Sequence, residues 1–114
     1  MDIKHEKMDD VTIIKIDKER LDSMLAPMLK SDLLVLVNEG VKKILIDLSN
    51  VTYADSSGLG ALLFGLRQLK GTEGQLKLFA ANDRVMSLVR IARLDDYLHN
   101  YDDRDQAIQS FAQN

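Results

Sequence analysis

Two spacings of apolar residues alternate along this chain, one of period two and one of period three to four. Val11-Thr12-Ile13-Ile14-Lys15-Ile16 is rich in β-branched residues and ends in apolar–charged alternation, as a half-buried strand does. Ile3 to Lys7 is more polar and predicts an edge strand. Met8-Asp9-Asp10 between them predicts a hairpin turn, since Asp tolerates turn geometry. Leu25, Leu29, Leu33 and Leu36 then recur at helical spacing, with Asp22-Ser23 as the expected helix start and Pro27 close behind it. The run Leu33 to Val37 is apolar all round, so this helix is expected to be well covered. Asn38-Glu39-Gly40 ends it, with Gly40 available for a left-handed cap.

Ile44-Leu45-Ile46-Asp47-Leu48 is a short apolar run, the mark of a central strand covered on both faces. A helix followed by such a strand implies a crossover and a partly parallel sheet. Ser49 to Ser57 is a polar loop that carries Val51 and Tyr53. Leu59, Leu62, Leu63, Leu66 and Leu69 then define the most regular helix of the chain, beginning near Ser57, with the 59–62–66–69 stripe expected against the sheet. Gly71-Thr72-Glu73-Gly74 closes it. Leu76 to Ala80 is the next strand. Asn82-Asp83 caps a helix bearing Val85, Leu88 and Val89. Tyr97-Leu98 predicts a last short strand, and Asp102-Asp103 starts a final helix with Ala107, Ile108 and Phe111 on one face. Strands alternate with helices, so the class is α/β: one domain over residues 1–114, a mixed sheet of four or five strands and about four helices.

Composition narrows the chemistry. The 114 residues hold 46% hydrophobic and 29% charged side chains, which fits a folded globular chain. Lys plus Arg total 15 against 18 for Asp plus Glu, a net charge of -3, so a general phosphate-backbone binder is not expected. There are no cysteines, which excludes disulfides, thiolate metal sites and cysteine nucleophiles. No apolar run approaches the roughly 18 residues that span a bilayer, and the N-terminus has no apolar signal core, so a cytoplasmic protein is expected. His5 and His99 lie far apart with no ligand at metal spacing and read as surface residues. Met24, Met28 and Met86 read as helix-surface or gap-filling residues. The aspartates between Asp95 and Asp105 lack the spacing of a calcium loop. No metal and no cofactor are expected.

The informative stretch is Asp55-Ser56-Ser57-Gly58-Leu59-Gly60, directly before the most regular helix. Two hydroxyls there can cap free N–H groups. Gly58 and Gly60 lower helix propensity in a first turn, yet they let a partner approach the backbone closely. A helix N-terminus also stabilises an anion, so a phosphate on one of these serines would sit well. A hydrolase elbow needs Gly-x-Ser-x-Gly, and this window reads Ala54-Asp55-Ser56-Ser57-Gly58. The phosphate-cradling Gly-Lys dipeptide occurs nowhere. A receiver-like set of Asp17, Asp47 and Lys77 fits poorly, because Asp47 lies within a strand pattern and the first two strands read as a hairpin.

At Asp55 to Gly60 the chain resembles the STAS domain family, specifically bacterial anti-sigma factor antagonists. Ile44 to Val51 resembles the family's strand and loop before the phosphorylation site, and Arg20-Leu21-Asp22 its segment ending in Leu-Asp. The family's Gly-Glu-Leu-Asp stands here as Glu19-Arg20-Leu21-Asp22, with the glycine lost and the acid replaced by a base. The resemblance implies a partner-switching regulator and no enzyme. The unmodified form binds an anti-sigma factor that is also a serine kinase, which frees the sigma factor. Phosphorylation at Ser56 releases the kinase, and a metal-dependent serine phosphatase resets the cycle. Asp22, Asp55, Ser57, Gly58, Leu59 and Gly60 carry over as the partner-binding positions around the acceptor. Neither direct nucleic-acid binding nor membrane insertion is implied. The alternative within the family is a non-phosphorylated adaptor that binds the ATPase of a membrane lipid-transport complex.

Overall fold

A computed structural model describes residues 2–112. Strands β1 (Ile3–Met8) and β2 (Val11–Ile16) form the expected hairpin. Its turn is Asp9-Asp10, with Asp9 at a φ of 57°, a left-handed value that Asp adopts more readily than most residues. After β3 (Arg20–Leu21) come α1 (Ala26–Asn38), β4 (Lys43–Asp47) and β5 (Tyr53–Ala54). The chain continues with α2 (Ser56–Lys70), β6 (Gln75–Phe79), α3 (Asp83–Ile91), β7 (Asn100–Tyr101) and α4 (Arg104–Ser110). The main sheet has the order β1-β2-β4-β6-β7, and only the β1–β2 pair is antiparallel. This is the mixed α/β sheet that the alternation of patterns predicts.

Strand alternation divides the core. Ile14, Ile16, Ile44, Ile46, Leu76 and Leu78 face the layer formed by α1, α2 and α3. Val11, Ile13 and Leu45 face the other way, toward Ala107 and Phe111 of the α4 segment. Several helix ends follow the sequence reading. Gly40 takes a φ of 93° after α1, while its N–H donates to Val37 and that of Val41 to Leu36, a paired closure that satisfies two free carbonyls. Asn82 and Asp103 accept N–H bonds from Val85 and Gln106 as the caps of α3 and α4.

Four expectations are corrected. First, α1 starts at Ala26, not at Asp22-Ser23, and its cap position Leu25 makes no side-chain bond. Asp22 instead closes the preceding turn, its carboxylate accepting from the Met24 N–H at 3.0 Å and its carbonyl from Leu25 and Ala26. Second, α1 is not covered all round. Leu29, Leu33 and Leu36 are buried, but Leu34 and Val35 remain 40% and 52% exposed.

Third, the inward face of α2 is rotated from the leucine stripe. Gly58, Ala61, Leu62, Gly65, Leu66 and Leu69 are buried, while Leu59 and Leu63 sit half-buried at its margin. Small residues take the inner line because neighbours come too close for larger ones. A Cβ on Gly65 would lie 2.8 Å from the side chains of both Leu33 and Leu76. Fourth, the last strand is Asn100–Tyr101, not Tyr97-Leu98. Leu98 is fully buried as an anchor, and pairing with β6 begins two residues later, at Leu78 with Asn100.

Candidate functional site

Residues 49–57 are not wholly a loop. Tyr53-Ala54 pairs in parallel with Arg20-Leu21, Arg20 opposite Tyr53 and Leu21 opposite Ala54. Thr52 and Tyr53 N–H groups donate to the Glu19 carbonyl at 2.8 and 3.1 Å, and Asp55 N–H to that of Leu21 at 3.3 Å. Two segments some thirty positions apart therefore run side by side, and Asp22 and Asp55 leave this small sheet together. The buried Leu21 side chain anchors the pair in the main core.

Helix α2 springs directly from that ribbon. Asp55 is its N-cap, in extended backbone, and its carboxylate accepts from the Gly58 N–H at 3.0 Å. The expected capping hydroxyls are thus displaced by a carboxylate, which also favours the positive end of the helix dipole. Ser56 becomes the first helical residue and is exposed; Ser57 is half-buried. The N–H groups of both lie in the first turn, where a helix offers no internal acceptor.

The two glycines of the motif differ. Gly58 is buried, and a Cβ there would lie 2.2 Å from the Leu21 carbonyl oxygen. Its absent side chain lets α2 start against β3. Around Gly60 nothing lies within 4 Å of the point a Cβ would occupy, so its missing side chain serves no internal contact. Leu59 and Gly60 are half-buried beside the exposed Ser56.

Sequence reasoning missed the pairing of Tyr53 with Arg84. Arg20 lies 4.5 Å and Arg84 5.1 Å from the centre of the Tyr53 ring. The Asn82 amide donates to the Thr52 carbonyl at 3.2 Å, which holds the start of α3 beside β5. No local pattern links Arg84 to Tyr53, because the link is made by the fold.

Other candidate residues lie elsewhere. His5 pairs with Asp32 of α1, and the His99 ring meets the Asp96 carbonyl at 2.9 Å. The Asp47 carboxylate accepts from the Ser49 N–H at 2.9 Å, closing the turn after β4. Lys77 donates to Ser110 on the opposite face of the sheet. Among the described residues, no three His, Cys, Asp or Glu side chains converge as a metal site, and no helix is long and apolar enough to cross a membrane.

This sheet order, with its four helices, defines a recognisable class of α/β domain. The family model for the STAS domain matches residues 2–107, and the chain belongs to that family. Within it, the chain is similar to the anti-sigma-B factor antagonist of Staphylococcus aureus (strain NCTC 8325 / PS 47). The two are 30% identical over 99 residues, which cover 87% of this chain and 91% of that protein. The anti-sigma-B factor antagonist of Listeria monocytogenes is 33% identical over 99 residues, 86% of this chain and 84% of its own length. A crystal structure of a Thermotoga maritima protein superposes with a TM-score of 0.91 at 27% identity, covering 97% and 95% of the two chains.

Proposed function

We propose that this protein is an anti-sigma factor antagonist whose binding is switched at Ser56. The unphosphorylated form binds an anti-sigma factor that is also a serine kinase, and so releases a sigma factor in the cytoplasm. Phosphorylation of Ser56 ends that binding, and a metal-dependent serine phosphatase restores it. The names of the relatives support the first part. The observation that carries the second is the exposed Ser56 hydroxyl on the first turn of α2, with Asp55 before it and Asp22 on the neighbouring strand end.

The physical basis is local. A phosphate adds about -1.5 to -2 charge at neutral pH. The free N–H groups of the first turn offset part of it within the protein. A partner that packs against a neutral hydroxyl must then desolvate a dianion beside two carboxylates. A penalty of a few kcal/mol weakens binding about a hundredfold or more. Ser57, Leu59 and Gly60, with Asp22 and Asp55, form the contact surface in this reading; Gly58 acts by holding α2 against β3. No refolding is needed.

The test is incubation with the organism's anti-sigma factor and ATP, followed by mass-spectrometric location of phosphate. Phosphate on Ser56 that is lost in Ser56→Ala and retained in Ser57→Ala is the expected result. Full labelling of Ser56→Ala overturns the assignment.

A further inference from the structure

The stack of Arg20, Tyr53 and Arg84 lies on the same ribbon as Ser56, three residues before it at Tyr53. Each member comes from a different element: β3, β5 and the first turn of α3. The Arg20 side chain is 66% exposed, and Arg84 is exposed. Arg84 makes no ion pair among the described residues. Arg20 has one ionic neighbour, Asp22, at 3.5 Å. The nearby acids are engaged differently. Asp55 accepts from Gly58 N–H, Asp22 from Met24 N–H, and Asp83 sits in the first turn of α3. Three acids thus stand near two arginines, but Asp22 and Asp55 are each held by a backbone N–H, whereas both guanidinium groups rest on the Tyr53 ring with their side chains exposed.

A guanidinium resting on an aromatic ring loses little further freedom when it binds, and its N–H fork matches a carboxylate. Arg and Tyr are also the residue types that dominate protein interfaces. Two arginines on a chain of net charge -3 are too few to track a nucleic-acid backbone. We propose that Arg20 and Arg84, held on Tyr53, form a recognition patch for an Asp- or Glu-bearing segment of the anti-sigma partner. The patch gives partner choice, while Ser56 gives the switch; the proposal rests on the function proposed above.

The experiment is calorimetric titration of the purified full-length protein with the organism's anti-sigma factor, at low and high salt, with thermal melting of each variant. Arg20→Ala and Arg84→Ala each weaken binding about tenfold or more without lowering the melting temperature. Arg84→Lys restores only part of the loss, and the salt dependence of affinity becomes shallower in the alanine variants. Arg84→Glu binds more weakly still and is rescued by an acid-to-lysine change on the partner. Ser56→Asp is the internal reference. If it weakens binding while the arginine variants bind like wild type, the patch is refuted and the switch stands. If Ser56→Asp also binds like wild type, both readings fall. A third outcome is that the arginine variants leave affinity unchanged but raise the phosphoserine pKa, read by phosphorus NMR of the phosphorylated protein. The arginines would then serve the protein's own phosphate, which also overturns the proposal.

Discussion

Helix α2 contains two regions built to different rules. Its first turn, Ser56 to Gly60, has weak helix formers and an exposed hydroxyl. Its body, Ala61 to Lys70, buries Ala61, Leu62, Gly65, Leu66 and Leu69 against α1 and the sheet. The body supplies the stability that lets the first turn be poor helix. Packing of an amphipathic face, rather than propensity, holds most protein helices together. A switch placed at the end of such a helix can change charge without unfolding its support.

The comparison is tested hardest by attacking the body. Leu62 is fully buried, and Leu62→Ala should cost about 2–5 kcal/mol in a denaturant melt. Its partner affinity, measured on folded protein, should stay within twofold of wild type. A large loss of affinity at retained fold would show that the two regions are not separable.

Gly58 is where the regions meet. Gly58→Ala places a methyl against the Leu21 carbonyl, so α2 must move from β3, at a cost of roughly 1–3 kcal/mol. Stability and partner binding should fall together. Gly60→Ala should do the reverse. With open space around it, the alanine should stabilise by roughly 0.5–1 kcal/mol through helix propensity. A methyl on the surface proposed to face the partner should at the same time weaken binding. Equal signs of the stability change at the two positions would break the assignment of Gly58 to the fold and Gly60 to the interface.

The body of α2 was legible because its leucines recur without interruption, and so were the ends marked by Gly40, Asn82 and Asp103. The inward line of Gly58, Ala61 and Gly65 was not, because small residues report nothing about direction until a neighbour such as Leu33 stands against them. Strands β3 and β5 have two residues each, too few to show a period, yet their pairing brings Asp22 and Asp55 together. Leu34 and Val35 read as covered because an unbroken apolar run does not reveal which of its residues face outward. The hexamer Asp55 to Gly60 stood out in the sequence, but the exchange of capping roles between Asp55 and the serines depends on backbone angles that residue types alone do not specify.

Changes within the first turn, the proposed switch, should barely register in stability. Ser56 is exposed and its hydroxyl caps nothing, so Ser56→Ala should stay within about 0.5 kcal/mol of wild type. Ser56→Asp should fold equally well, since a carboxylate suits a first helical turn. Both follow from thermal melts. Only binding should separate them, with the aspartate weaker than alanine and stronger than true phosphate, because it carries about one charge against -1.5 to -2.

The smallest effect should come from outside both regions. Asp17, just before β3, is held below its ordinary pKa of 3.8, first by its hydrogen bond with Lys4 and next by that from the Asn50 amide. A carboxyl whose pKa is lowered on folding stabilises the native state above its unfolded value. That contribution disappears as the pH falls through the folded value. Asp17→Asn should therefore melt slightly below wild type at neutral pH, and the two melting curves should converge below the folded pKa, where Asp17 is itself neutral. Raised salt should shrink the difference, because Asp17 is solvated and its partner Lys4 is largely exposed. Asn50 lies in the loop that leads to β5, so the same variant asks whether support reaches the switch turn from that side. If Asp17→Asn changed partner affinity as much as Ser56→Asp, the loop would belong to the switch, and the division between a charged first turn and an inert support would fail.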